Sequence, residues 1–497
     1  MLTALLVVIS AISSYILLYV AIYYIIRIAR PLHDYPGPLL NRLTPVPWII
    51  HLWRGTLYSY ADALHKQYGP VVRVAPNELS IIDPAAWKDI YVRPRIISGG
   101  DFPELPKPDW FFRPNMNLAP NIISADFDTH AHIKRGLAPG FSEKNIREQE
   151  PIIRVYIDSL LAQLRKRCGY GAVSVDLVKW FGHATTDIIA GLALGESFNC
   201  LQSGEGNDFT RLFNRVVRED IVLAGLRRVG PHFLTTLAYR FFTGHRVKYL
   251  DLCRQSLSKR VASGVLRPDL IQSLLNQEEY NFDSVVHTAA LIIFAGEETT
   301  LSVLCGVVYY LASNPVAMET VLKEVRGAFR SEEEITIASV NKLEYMIACL
   351  HETMRIYPPV GAGLPRIVPR GAEVVIAGHV VPGDTNVAIP PYALNHCAEY
   401  WVEPDKFIPE RWLGVDKRFA SDKLHEGLKP FLVGPRGCIG QNLAHVEMRL
   451  IMARVLFAFD IELDKSCRNW VTDQTSWVTW ARPPLYVRLT RVNQAGK

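Results

Sequence analysis

The stretch Phe431-Leu432-Val433-Gly434-Pro435-Arg436-Gly437-Cys438-Ile439-Gly440 sets three glycines and a proline around a single cysteine, just before an apolar run over 443–459 with helical spacing. Glycine adopts backbone conformations closed to other residues and lets the chain approach something bulky. A cysteine at the start of a helix meets free amide hydrogens that stabilise a thiolate, and Arg436 adds a cation two residues away. The loop alone also suits a buried structural cysteine, since a free thiol packs as a small hydrophobe.

Three further segments carry chemistry. Glu352 and Arg355 stand at i and i+3 on one face of a helix predicted over 341–357, which Pro358-Pro359 stops. An exposed pair of this kind is worth at most about 1 kcal/mol. His351-Glu352 begins like the HExxH zinc motif, but the residue four places after His351 is Arg355, so the second ligand is missing. Downstream lies Phe407-Ile408-Pro409-Glu410-Arg411-Trp412. A long apolar helix predicted over 284–314, ended by Pro315, contains Ala295-Gly296-Glu297-Glu298-Thr299-Thr300. A mid-helix glycine costs about 1 kcal/mol relative to alanine and needs a packing or functional reason, while the threonines can bond back to i−4 carbonyls. His130-Ala131-His132 offers two metal-ligand types without a third.

Composition bounds the architecture. Of 497 residues, 49% are hydrophobic, 21% charged and 10% aromatic, which excludes disorder, collagen-like repeats and a coiled coil as the main structure. The net charge of +5 is too diffuse to argue for nucleic acid. Eight cysteines without CxxC or framework spacing indicate a reducing compartment. Residues 2–26 carry no charge and would make a helix of roughly 37 Å, enough to cross about 30 Å of hydrocarbon with some tilt. Tyr19, Tyr23 and Tyr24 suit the interface, and Arg27 and Arg30 place the remainder in the cytosol. A cleaved signal peptide fits less well, because the run is too long and no basic residue precedes it. Residues 27–39, with Pro36-Gly37-Pro38, form a stiff hinge, and 40–497 read as one catalytic domain. Strand-like runs at 71–75, 79–82, 373–376 and 380–387 frame a helical middle over about 150–360, giving a mainly α body with small β-sheets.

The pattern FxxGxRxCxG around Cys438 resembles the haem-binding signature of the cytochrome P-450 (haem-thiolate) monooxygenases at every defining position. Glu352 and Arg355 match that family's ExxR, Arg411 its PER arginine, and Ala295 to Thr300 its [AG]Gx[DE]T[TS], all in the family's order. The resemblance implies the cytochrome P-450 fold with one N-terminal transmembrane helix, and haem b with Cys438 as the axial thiolate. It implies further that Phe431 packs near the sulfur and that Arg436 and Arg366 hold propionates. His130 and Lys134 would complete that contact, although lysine lacks the arginine fork. Gly296 would leave room for dioxygen, and Glu298 with Thr299 would deliver protons, with Glu297 turned elsewhere. Glu352, Arg355 and Arg411 would form a buried structural network.

More narrowly, the chain resembles fungal enzymes of secondary metabolism such as the isotrichodermin and averantin hydroxylase groups. The implied reaction is hydroxylation or epoxidation of a lipophilic terpenoid or polyketide with dioxygen and NADPH-derived electrons. NADPH–cytochrome P-450 reductase is the implied donor, with cytochrome b5 as a second partner, at a cationic face near Cys438 formed by Lys134, Arg135, Lys429 and Arg449. Selectivity is expected from residues 110–123, 209–242, the helix before Gly296, and 360–364. The implied place is the endoplasmic reticulum membrane, single-pass, with the catalytic domain cytosolic. A haem-thiolate isomerase or dehydratase acting without dioxygen, and a non-catalytic membrane haem sensor, are the alternative readings.

Overall fold

The long apolar helix read over 284–314 becomes the spine of the molecule, spanning Phe282–Ala312. Asn281 caps it by accepting from the amide of Asp283, and the helix stops before Asn314-Pro315 because proline cannot continue it. A computed structural model provides the coordinates and describes residues 32–112, 119–206, 208–229, 232–276 and 281–492, together with 10, 14 and 15. Apart from those three residues, the segment 2–26 read as a membrane anchor lies outside the described residues, as do 27–31 of the hinge. The rest of the hinge is pinned to the body: the amide of Arg73 donates to Pro36 O at 2.7 Å, and Leu32 is buried.

The longer helices, in chain order, are α1 (Val46–Arg54), α2 (Leu57–Tyr68), α3 (Phe127–Leu137), α4 (Glu143–Arg167), α5 (Leu177–Ala193), α6 (Asp208–Val229), α7 (His232–Ser263), α8 (Phe282–Ala312), α9 (Pro315–Ala328), α10 (Glu344–Ile356) and α11 (Gln441–Ala458). α8 is long and apolar enough to cross a membrane, but most of it is buried inside the protein, where it packs on α5. Both helices are apolar nearly all round, as central helices must be. α10 is shorter than the predicted 341–357. Thr336 and Ser339 cap each other around a separate turn over Ile337–Val340, so the chain enters α10 afresh.

The strands are β1 (Val71–Ala75), β2 (Glu78–Ile81), β3 (Arg95–Ser98), β4 (Ser174–Asp176), β5 (Arg366–Ile367), β6 (Glu373–Ile376), β7 (His379–Pro382), β8 (Asn386–Ala388), β9 (Phe459–Leu463), β10 (Thr475–Ser476), β11 (Trp480–Ala481) and β12 (Tyr486–Arg491). They form a four-stranded sheet β1-β2-β8-β5, two three-stranded sheets β3-β6-β7 and β4-β12-β9, and the hairpin β10-β11. The run read as one strand over 380–387 is two. Gly383 sits so close to Pro369 O that a Cβ would lie 2.7 Å from it, and the chain passes there from β7 into a different sheet.

A charged cluster joins α10 to the segment before the cysteine loop. Glu352, Arg355 and Arg411 are almost wholly buried. Arg355 grips Glu352 with Nε to Oε2 at 2.9 Å and Nη2 to Oε1 at 2.7 Å, and Arg411 Nε adds 3.1 Å. The amide of Ile408 and the indole of Trp412 complete the carboxylate's shell, and Arg411 also pairs with Asp422. Burial pushes the Glu352 carboxyl up, yet the two guanidiniums outweigh it and hold it below the ordinary glutamate range. Its contribution to stability is therefore present above that range and is lost as pH falls through the lowered value. Removing one member leaves buried charge incompletely compensated, at about 3–5 kcal/mol. Glu352→Ala is expected to lower stability by that order in urea unfolding at neutral pH, whereas Glu143→Ala, which breaks the exposed pair with Arg147, leaves the midpoint unchanged.

Candidate active site

The loop before α11 is folded back on itself. The amide of Cys438 donates to Phe431 O at 2.8 Å and that of Gly437 to Gly434 O at 3.0 Å. Leu432 and Gly434 take positive φ of 61° and 75°. At Gly434 glycine is required twice over, since a Cβ would lie 2.3 Å from Tyr91 O. The result is a thiol ringed by protein whose surface is nonetheless exposed, because it faces an internal cavity of about 320 Å³. Burial pushes the Cys438 thiol up, while the Gly440 amide and Lys134 act the other way. Phe431 borders the same cavity, its ring 4.8 Å from that of His445.

α8 supplies another wall through Ala295, Gly296 and Thr299. Thr299 Oγ1 donates to Ala295 O at 2.6 Å, the i−4 bond expected of a helical threonine. Gly296 has a packing reason of its own. A Cβ there would meet Ile189 of α5 at 2.8 Å, so the space beside it is filled by Ile189, which lines the cavity too. Glu298 turns away from the thiol. It pairs with Arg482, whose other arm donates to Ser302 Oγ at 2.7 Å, and it borders a second cavity of about 520 Å³ together with Glu297.

The cations around the first cavity are held differently from one another. Arg436 is buried and already engaged: Nε donates to Glu104 Oε2 at 2.9 Å, Nη2 to Oε1 at 2.6 Å, and Nη1 to Ala125 O at 3.0 Å. Arg366 is only 2% exposed, lies over the rings of Tyr91 and Phe112, and among the described residues donates to Leu364 O and Pro365 O. Burial pulls its pKa down, which is the mark of a charge short of counter-ions. His130 and Lys134 of α3 address the loop's own carbonyls. Lys134 Nζ donates to Pro435 O at 2.7 Å and Gly437 O at 3.2 Å, and His130 Nε2 lies 3.3 Å from Pro435 O. They brace the cysteine loop against α3, and burial lowers the pKa of both. Of the expected cationic face, Arg135 is exposed, whereas Arg449 bonds Asn341.

A haem fits these residues. The thiol opens into an apolar cavity, and the buried Arg366, without a carboxylate partner among the described residues, suits an anionic substituent. Among the described residues no three His, Cys, Asp or Glu side chains gather to hold a bare metal ion, His130 and His132 included. Of the expected selectivity segments, Val360 and Leu364 line the cavity, while 113–118 and 230–231 lie outside the described residues. Glu104 and Arg482 were not foreseen. A buried charge demands a counter-charge, but nothing in the sequence says which distant residue provides it.

Comparison with known proteins identifies the family. The sequence profile of the family described as Cytochrome P450 matches residues 36–489. The cytochrome P450 monooxygenase tpeC of Talaromyces stipitatus is 44% identical, with 93% of this chain and 90% of that protein covered. The trichothecene C-15 hydroxylase of Fusarium sporotrichioides is 37% identical over 93% of each of the two chains. The averantin hydroxylase of Dothistroma septosporum is 37% identical over 93% and 87%.

Gly434→Ala is expected to strip most of the haem from the purified protein, read as Soret absorbance per polypeptide, because the new Cβ meets backbone. Gly414 also has positive φ but open space around it. Gly414→Ala should therefore keep its haem and lose only the roughly 1–2 kcal/mol of left-handed strain in a thermal melt.

Proposed function

The chain belongs to the cytochrome P450 family and is a monooxygenase whose cofactor is haem b with a thiolate-ligated iron, and from that premise we propose that it hydroxylates a lipophilic terpenoid or polyketide in fungal secondary metabolism. The observation that carries the reading is the Cys438 thiol exposed to an apolar cavity that Thr299 and Gly296 also line. When bound, the haem supplies reductive activation of dioxygen and transfer of one oxygen atom to substrate.

The chain's own residues do the rest. Cys438 would hold the iron, with Phe431 shielding the sulfur. Arg366 would receive a haem carboxylate, Arg436 would do so on giving up part of its grip on Glu104, and His130 and Lys134 would support that edge through the loop. Apolar walls at Ile189, Ile292, Val360 and Leu364 orient a lipophilic substrate and exclude water. Thr299 Oγ1 hands protons into the cavity, supplied from Glu298 when its carboxylate leaves Arg482. The charge-free run 2–26, read as an anchor ahead of the hinge and the domain over 40–497, supports a location on the cytosolic side of the endoplasmic reticulum membrane. There NADPH–cytochrome P-450 reductase, with cytochrome b5 as a second donor, feeds electrons across the face near Cys438. Thr299 on the cavity wall favours this reading over an isomerase or dehydratase, and over a haem sensor.

Incubation with reductase, NADPH, candidate lipophiles and isotopically labelled dioxygen tests the proposal. Product carrying one labelled oxygen is expected; unlabelled product, or turnover without NADPH, contradicts it. Thr299→Ala should keep consuming NADPH while product per NADPH falls by roughly ten-fold or more, as loss of a proton-transfer group predicts.

A further inference from the structure

Two adjacent glutamates of α8 face the second cavity, and they are held in opposite ways. Glu298 is neutralised by Arg482. Glu297 is 5% exposed, and among the described residues no cation pairs with it directly. Its carboxylate has two hydroxyls for company: Thr210 of α6 donates at 3.3 Å, and Thr186 of α5 lies within hydrogen-bond reach. Tyr249 of α7, packed nearby, gives its own hydroxyl to Ala290 O, and the Glu297 charge helps to push that phenol up. Arg482, which grips Glu298, also favours the Glu297 carboxylate, but burial opposes the charge and Glu298 next door adds repulsion. Burial first, and Glu298 second, push Glu297 up to about 8, so at neutral pH it carries a proton.

The cavity beside them is polar where the one at Cys438 is apolar. Lys179, His183, Thr186, Arg218 and Arg482 border it, with room for many waters at about 30 Å³ each. His183 is buried, and its Nε2 has no hydrogen-bond partner among the described residues. A group so placed needs water, which marks the cavity as wet.

We propose that Glu297 is the proton store for the site, acting through Glu298: it holds a proton at the wall of a water-filled cavity and passes it to Glu298, from which it reaches Thr299. The O–H bond at Glu297 breaks as one forms at Glu298, leaving Glu297 a carboxylate. A proton from bulk water, entering through the cavity, restores it, so the chain is unchanged after each cycle. This inference rests on the monooxygenase reading and extends it to the face of α8 turned away from the cysteine.

The test is infrared spectroscopy of the full-length ferric holoenzyme, titrated from neutral to alkaline pH. A protonated-carboxyl band that vanishes with a midpoint near 8 is expected in the wild type, absent from Glu297→Gln and kept in Glu297→Asp. Subtracting the Glu297→Gln titration isolates the band from Glu447, which burial also pushes up to about 8. In turnover, Glu297→Gln should lower product per NADPH by roughly ten-fold, with recovery in Glu297→Asp. An identical band in wild type and Glu297→Gln, or unchanged coupling in Glu297→Gln, overturns the inference. If the wild type consumes no NADPH with reductase, the monooxygenase reading fails instead, and the infrared titration still decides whether Glu297 stores a proton.

Discussion

The hydrogen bond from the Cys438 amide to Phe431 O closes the loop that turns one thiol toward a cavity instead of into the core. Seven other cysteines share the chain, and none of them is fully exposed. Burial drives the thiols of Cys253, Cys305 and Cys349 far up, as expected of inert structural thiols. What separates Cys438 is backbone: a left-handed Gly434 with no space for a side chain, and a loop braced from α3 by Lys134 and His130. The chemistry of the site follows from where that loop points.

Around it, charge is buried in pairs that tie together segments far apart in the chain. Glu352, Arg355 and Arg411 join α10 to the stretch leading into the cysteine loop. Arg436 with Glu104 joins that loop to the segment before α3, and Glu298 with Arg482 joins α8 to the C-terminal hairpin region. Such pairs add little net stability compared with apolar packing, but losing one partner is costly, so they fix the geometry of the elements they connect. Arg366 breaks the pattern as a buried guanidinium bonded, among the described residues, to its own neighbourhood's carbonyls.

Much of this was legible in the sequence because it is local. The apolar period places α8 and α11, the ExxR spacing puts Glu352 and Arg355 on one face, and the glycines of the cysteine loop mark a close approach. The partners were not legible. Glu104 and Arg482 reach their sites from 332 and 184 residues away in the chain, and no local period records such pairing. Short strands such as β4 and β12 escaped for the same reason, since their pairing is a long-range event. Residues 380–387 read as one strand because alternation says nothing about a change of sheet at Gly383. The orientation of Glu298 was half visible. One step of a helix turns a side chain by about 100°, so Glu298 cannot share the face of Thr299, yet only the structure reveals Arg482 waiting there.

The central claim is that the sulfur of Cys438 is the protein's ligand to haem iron. The absorption spectrum of the purified protein, reduced and saturated with carbon monoxide, tests it most directly. The account predicts the strongly red-shifted Soret band of thiolate ligation in the wild type and its loss in Cys438→Ala. An unshifted band in the wild type, as imidazole ligation gives, or a red-shifted band that survives in Cys438→Ala, would contradict it.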